Sequence, residues 1–208
     1  RRLTDEGRAE LDRALVVDKV GFIAAKVDTL SYQMSFDLET RRGMIILNIS
    51  TVDAREFGAA MRVMGKVYQS RLGMGKLVAV AESGARLGRF SVPQGKVAVG
   101  TVCSVSLNGI LLRANITTTS RFGGLLELEN TQPTRFTEII NYDGSSLDPL
   151  EIFIRSGMTS VLRAAKSGSG VLGASFREVP AVALPEVKRL IKKTEALGLG
   201  GVIALGSP

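Results

Sequence analysis

The sequence predicts a mixed α/β fold, a layered α/β sandwich with a β-rich, barrel-like middle section. Three observations carry that prediction. The first third reads β-β-α-β and the last third α-β-α-β. Between about residues 87 and 145, short β-rich runs follow one another across Pro93-Gln94-Gly95, Asn108-Gly109, Gly123-Gly124 and Asn130-Thr131-Gln132-Pro133. The chain of 208 residues, 45% hydrophobic and 23% charged, has the length and composition to bury a core.

Taken in order, Leu3 to about Leu15 reads as a capped, charged amphipathic helix, and Val16 to Val27 as a buried apolar segment of undetermined type. Tyr32, Met34, Phe36 and Leu38 alternate with polar residues, which predicts a strand over 31–38. Arg41-Arg42-Gly43 supplies a turn and 44–49 the returning strand of a hairpin. Asp53, with Glu56 three residues on, has the form of a capping box. It opens a helix whose apolar face is Phe57, Met61, Met64, Tyr68 and Leu72, ended by Gly73 and Gly75. Residues 77–81 form a short buried strand. In the middle section the expected strands are 96–105, 110–116, 125–129 and 135–142.

Asp148-Pro149-Leu150-Glu151 is a helix start, with Asp148 as cap and Pro149 at the first helical position. That helix is expected to bury Leu150, Ile154, Val161 and Ala165 and to close at Gly168. A strand over 171–179, a helix over 185–197 and a last strand over 202–205 complete the tail. No internal repeat or low-complexity linker interrupts the chain.

Composition excludes several chemistries. Without histidine there is no Ser-His or Cys-His machinery and no imidazole metal site. With Cys103 as the single cysteine there is neither a thiolate-rich zinc site nor an internal disulfide. No apolar run reaches the roughly 20 residues that span a bilayer, and no signal peptide is visible; a reducing cytoplasm fits. The formal net charge is +7, but basic residues are scattered. The densest group, Lys188, Arg189, Lys192 and Lys193, interleaves with Val187, Leu190, Ile191 and Leu197 at helical spacing, as on the solvated face of an amphipathic helix.

Gly168-Ser169-Gly170-Val171-Leu172-Gly173 matches the dinucleotide fingerprint in letters only. It follows a helix and enters a strand, the reverse of the strand-to-helix turn that phosphate binding needs. Gly65-Lys66, Gly75-Lys76 and Gly95-Lys96 lack the Ser or Thr of a phosphate loop. More informative is Thr117-Thr118-Thr119-Ser120-Arg121-Phe122-Gly123-Gly124. A guanidinium, four hydroxyls and two glycines there have the makings of an anion grip, and equally of a polar loop with a glycine turn.

The run Gly100-Thr-Val-Cys-Ser-Val-Ser-Leu-Asn-Gly-Ile-Leu-Leu, with Ser120-Arg-Phe-Gly-Gly-Leu-Leu-Glu and Arg135-Phe-Thr-Glu-Ile-Ile-Asn-Tyr-Asp-Gly, resembles the effector domain of the archaeal nitrogen-regulatory repressors, NrpR. Ser146 to Val161, Ala174 to Pro180, Val17 to Phe22 and Asp28 to Tyr32 extend the likeness to nearly everything after Val16. The resemblance implies a non-enzymatic, 2-oxoglutarate-sensing, oligomeric regulatory domain that loosens a repressor's hold on operators of nitrogen-assimilation genes. It further implies that operator DNA is read by a separate N-terminal winged helix-turn-helix. Residues 1–15 are then expected to be the tail of that module and 16–208 the effector-binding and oligomerisation domain.

On this reading Arg121 clamps a carboxylate. Ser120 and Thr119 give hydroxyls, Gly123 and Gly124 give backbone N–H donors, and Cys103 and Asn108 line the pocket from neighbouring strands. A small buried apolar role suits Cys103 equally well. Arg155 and Arg177 are reserve anion ligands that ordinary ion pairs would also explain. No cofactor, metal or membrane partner is expected. Two other classes remain: a basic nucleic-acid-binding module around Lys188–Lys193, or an enzyme using Asp143, Asp148 or Glu151, two of which capping already explains.

Overall fold

The computed structural model describes residue 4 and residues 22–206. Apart from residue 4, the amphipathic helix expected over 3–15 and the winged-helix tail with it lie outside the described residues, as does the first half of the apolar segment 16–27. The elements run α1 (Ile23–Gln33), β1 (Leu47–Asp53), α2 (Phe57–Gln69), β2 (Val78–Ala81), β3 (Arg86–Leu87), β4 (Phe90–Ser91), β5 (Lys96–Val102) and α3 (Val105–Arg113). They continue with β6 (Thr119–Glu129), β7 (Gln132–Asn141), α4 (Pro149–Arg155), α5 (Val161–Ser167), β8 (Gly170–Glu178), a 3₁₀ turn (Ala181–Ala183) and α6 (Leu184–Ala196).

The fold is mixed α/β, as expected, but its strands are shared out differently. One antiparallel sheet has the order β1-β5-β2 and another β7-β6-β8, with β3 and β4 forming a separate hairpin. The β-rich middle is therefore not a barrel-like unit: β5 joins strands of the first third, while β6 and β7 join β8 of the last. Residues 202–205 form no strand.

Two segments read as strands are helical in part, 31–33 of the first and 110–113 of the second. The alternation over 31–38 misled because the buried positions of α1 are Ile23, Val27 and Ser31, a four-residue repeat, while Tyr32 is exposed. Met34, just beyond its end, is buried. The predicted hairpin shrinks to one antiparallel bridge between Asp37 and Arg42, its turn held by the Asp37 carboxylate, which accepts from the Glu39 and Thr40 amides, and β1 begins only at Leu47.

The strand expected over 110–116 is α3, the central buried helix. Its Asn108-Gly109 is no hairpin turn. A Cβ on Gly109 would lie 2.8 Å from the Met34 sulfur, so glycine lets the end of α1 approach α3. Leu111 and Ile116 then pack on Val187, Leu190 and Ile191 of α6, whose opposite face carries Lys188, Arg189, Lys192 and Lys193.

Other elements match closely. Phe57, Met61, Met64 and Tyr68 are the half-buried face of α2. Asp53, however, is the last residue of β1 and pairs with Lys96 at 2.9 Å, so Glu56 takes the helix-leading position. Asp148 caps α4 through the amides of Leu150 and Glu151, with Pro149 at its start. Gly157, at φ 67°, splits the single helix expected here into α4 and α5, so the buried positions are Phe153 and Ala164 while Ile154 is exposed, and Gly168 closes α5 in the left-handed conformation.

Glycine spacing makes a direct stability test. A Cβ on Gly124 would meet the Phe136 ring at 2.6 Å and the Glu138 carbonyl at 2.7 Å, whereas Gly65, inside α2, faces open space. Gly124→Ala should lower unfolding stability by about 1–3 kcal/mol through overpacking. Gly65→Ala should raise it by up to about 1 kcal/mol through helix propensity. Denaturant titration of the two variants checks both signs.

Candidate functional site

Pairing of β6 with β8 places Ser120 opposite Arg177 and Thr119 opposite Glu178. Because side chains alternate along a strand, those two pairs lie on opposite faces of the sheet. The register slips between Ser120 and Phe122, which leaves Arg121 as the bulged residue.

One face holds a polar cluster. Asn108, buried on α3, donates to the Ser120 hydroxyl at 2.8 Å and accepts from the Arg177 Nε. The Arg177 Nη2 donates to the Ser104 hydroxyl at 2.9 Å. Ser104 and Asn108 are one helical turn apart, so the first turn of α3 offers both acceptors on one side. Cys103, the residue before, is close enough for the Arg177 charge to act on its thiol. Burial nonetheless dominates and pushes that thiol above its ordinary pKa. Beside Arg177 on β8, Ser175 shares a 3.0 Å hydrogen bond with the buried Tyr142 hydroxyl, whose pKa burial likewise raises.

Arg177 has no ion-pair partner among the described residues, and its hydrogen-bond acceptors are neutral. Although the residue keeps some exposed surface, enough protein surrounds its guanidinium for desolvation to lower its pKa. Its Nη1 group makes no protein hydrogen bond. Since no buried side-chain donor among the described residues is left unsatisfied, that group reaches solvent. A desolvated cation with neutral partners and a free amino group is receptive to an anion.

Arg121 is placed otherwise. Its Nε and Nη2 both meet Glu178 Oε2, at 2.7 and 2.6 Å, in an exposed pair. The hydrogen bond to Glu178, and then the Glu178 charge, hold the guanidinium above its ordinary pKa. The nominated residues thus divide. Ser120, Asn108 and Cys103 gather around Arg177, while Thr119 and Arg121 lie with Glu178. Gly123 and Gly124 sit inside β6, which is paired on both edges, so their main-chain groups belong to the sheet ladder rather than to a loop. The role of Gly123 is spatial: a Cβ there would lie 2.9 Å from Pro149 and 3.2 Å from the Tyr142 hydroxyl.

Arg155 pairs with Glu151 at 2.6 Å, as an ordinary helical ion pair. Arg189 is engaged by Glu186 and Lys193 by Glu39, so part of the basic face of α6 is already neutralised. Asp148 is taken up in its cap. Ser104, Ser175 and Tyr142 were absent from the sequence nominations. Reading 105–113 as a helix would have exposed the four-residue spacing of Ser104 and Asn108.

Fold and site together define a small mixed α/β module built around a desolvated guanidinium whose hydrogen-bond acceptors are neutral. Residues 20–208 match the family model for the NrpR regulatory domains NRD1 and 2, and the chain belongs to that family. It is 34% identical over 206 residues to the global nitrogen regulator NrpRI of Methanosarcina mazei, covering 99% of this chain and 63% of that protein. It is 24% identical over 207 residues to the global nitrogen regulator NrpR of Methanococcus maripaludis, covering all of this chain and 35% of that one. A crystal structure of a nitrogen repressor-like protein from Methanococcus jannaschii superposes with a TM-score of 0.70 at 26% identity, over 83% of this chain and 70% of that one. The chain therefore spans under two thirds of the length of these two curated relatives. No helix among the described residues is long and apolar enough to cross a membrane.

Removing the amide that holds Arg177 tests the cluster. Asn108→Ala leaves the desolvated Nε without an acceptor and should lower unfolding stability by about 1–3 kcal/mol. Arg121→Ala, which breaks an exposed pair, should leave the denaturant midpoint nearly unchanged. Equal losses in the two variants would contradict the difference in environment.

Proposed function

We propose that this chain is the 2-oxoglutarate-sensing and self-associating regulatory domain of a nitrogen repressor, and that Arg177 is the principal ligand for one carboxylate of the effector. What carries the reading is a desolvated Arg177 with neutral partners and a solvent-reaching Nη1. A dicarboxylate brings the missing negative charge, and the planar guanidinium meets a carboxylate through two N–H groups. Asn108 and Ser104 orient the fork. Ser120 and the Cys103 thiol border it, and Arg121 with Thr119 forms a second, weaker cationic position on the other face. Family membership supports the same reading, since both relatives described above are named as global nitrogen regulators.

Regulation then follows from linkage. An effector that binds one arrangement of subunits better than another shifts the population toward it, and a coupling of about 1–3 kcal/mol changes operator affinity by about 5–150-fold. A two-fold operator calls for a two-fold protein, so the domain is dimeric, and operator DNA is read by a separate N-terminal winged helix-turn-helix.

Calorimetric titration with 2-oxoglutarate tests the site. Arg177→Ala should weaken binding about 10–150-fold, the equivalent of about 1.5–3 kcal/mol for a charged hydrogen bond. Arg177→Lys should restore only part of it, since a point charge cannot reproduce the fork. Arg121→Ala should change affinity much less. Loss of binding in Arg121→Ala with retention in a folded Arg177→Ala would move the site to the other face. Absence of binding by the unaltered chain would contradict the effector assignment.

A further inference from the structure

β1 is an edge strand with its outer side open. It pairs with β5 over all seven residues, Leu47 to Asp53, in one unbroken register. Asn48, Ile49, Ser50 and Thr51 are exposed, although they alternate between the two faces of the sheet. The bonds flanking the ladder give its phase. Ile46 accepts from Cys103 and Ala54 donates to Gly95, so even-numbered residues make the bonds to β5. Leu47, Ile49, Thr51 and Asp53 therefore turn their main-chain N–H and C=O groups outward. Among these groups the Asp53 carbonyl is engaged, by the Glu56 amide; the rest have no protein partner among the described residues.

Edges of this kind attract another strand unless something spoils them. The other sheet is protected. β7 carries Pro133 and Arg135 and has two register shifts against β6, and the Val171 main chain of β8 is bonded by Ser160. β1 has no proline, bulge or lysine, and its one charge, Asp53, is balanced by Lys96.

We propose that β1 is the self-association edge: two copies of this chain pair their β1 strands antiparallel about a two-fold axis through Ser50, making one continuous six-stranded sheet. The proposal rests on the dimeric reading given above and names its surface. Symmetry and phase fix the register. Centring on Ser50 sets Ile49 opposite Thr51 of the partner subunit and Leu47 opposite Asp53 of the partner subunit, so that outward groups face outward groups. A slip of one residue puts them out of phase, and a slip of two shortens the ladder. In the centred register no like charges meet, and the β-branched Ile49 and Thr51 form the cross-strand pair that suits a sheet.

The test uses the whole chain at tens of micromolar. In the centred register the two Ser50 residues form a non-hydrogen-bonded pair, with Cα atoms about 4.5 Å apart and within disulfide range. Ser50→Cys should therefore yield a covalent dimer under mild oxidation. Val63→Cys, exposed on α2, should stay at the background set by Cys103. Ser50→Lys sets two ammonium groups against each other and should halve the mass in light scattering while the circular dichroism spectrum stays unchanged. A dimer that survives Ser50→Lys, with no cross-link in Ser50→Cys, overturns the edge while leaving a dimer on another face. A strictly monomeric unaltered chain overturns the dimeric reading and the edge together.

Discussion

The hydrogen bond from Arg177 Nε to Asn108 Oδ1 ties the two three-stranded sheets together by way of α3. Asn108 stands on α3, which continues directly from β5 of the first sheet, while Arg177 stands on β8 of the second. Asn108 also donates to Ser120 on β6, and Ser104 takes a second guanidinium hydrogen, so one amide and one guanidinium align a helix with two strands. A desolvated cation without a carboxylate is an expensive way to achieve that alignment, and apolar side chains of similar volume would pack at lower cost. On the proposed function its worth lies in the charge left uncompensated, which an anionic effector would meet.

The surroundings keep that charge in place. Gly109 admits Met34 and so fixes α1 against α3, while Leu111 and Ile116 pack on α6. On the strand side, Gly123 admits Pro149 and the Tyr142 hydroxyl, bringing the capped start of α4 over the same face of the sheet. The outer edge of the first sheet is close by, because Cys103, next to Ser104, donates its amide to the Ile46 carbonyl just before β1. Site and edge are thus joined through one strand pair and the turn into α3, a short and contiguous physical connection.

Local chemistry was the legible part of the sequence. The Asp148-Pro149 helix start, the Gly168 cap that disqualifies the dinucleotide fingerprint, the apolar face of α2 and the basic face of α6 all depend on neighbours a few residues away, and all stand in the structure. Misreadings arose where a distant contact decided. Residues 105–113 are largely apolar, with β-branched Val105 and Ile110 and an Asn-Gly dipeptide, and their helical state rests on burial between α1 and α6. Of the strand assigned to 31–38, residues 31–33 complete α1, whose burial at every fourth residue overrides the alternation, and the rest forms the loop bridged at Asp37. Arg121 and Arg177 were both visible as possible anion ligands. Which one had a carboxylate of its own depended on the pairing of β6 with β8, with Glu178 fifty-seven residues from Arg121. No local signal carries that.

A crystal structure of this chain with 2-oxoglutarate bound tests the central claim most directly. The account predicts one carboxylate within hydrogen-bonding distance of Arg177 Nη1, with the Asn108 and Ser104 bonds to the guanidinium retained and the Arg121–Glu178 pair intact. A carboxylate held instead by Arg121, with Glu178 displaced and Arg177 untouched, would contradict it.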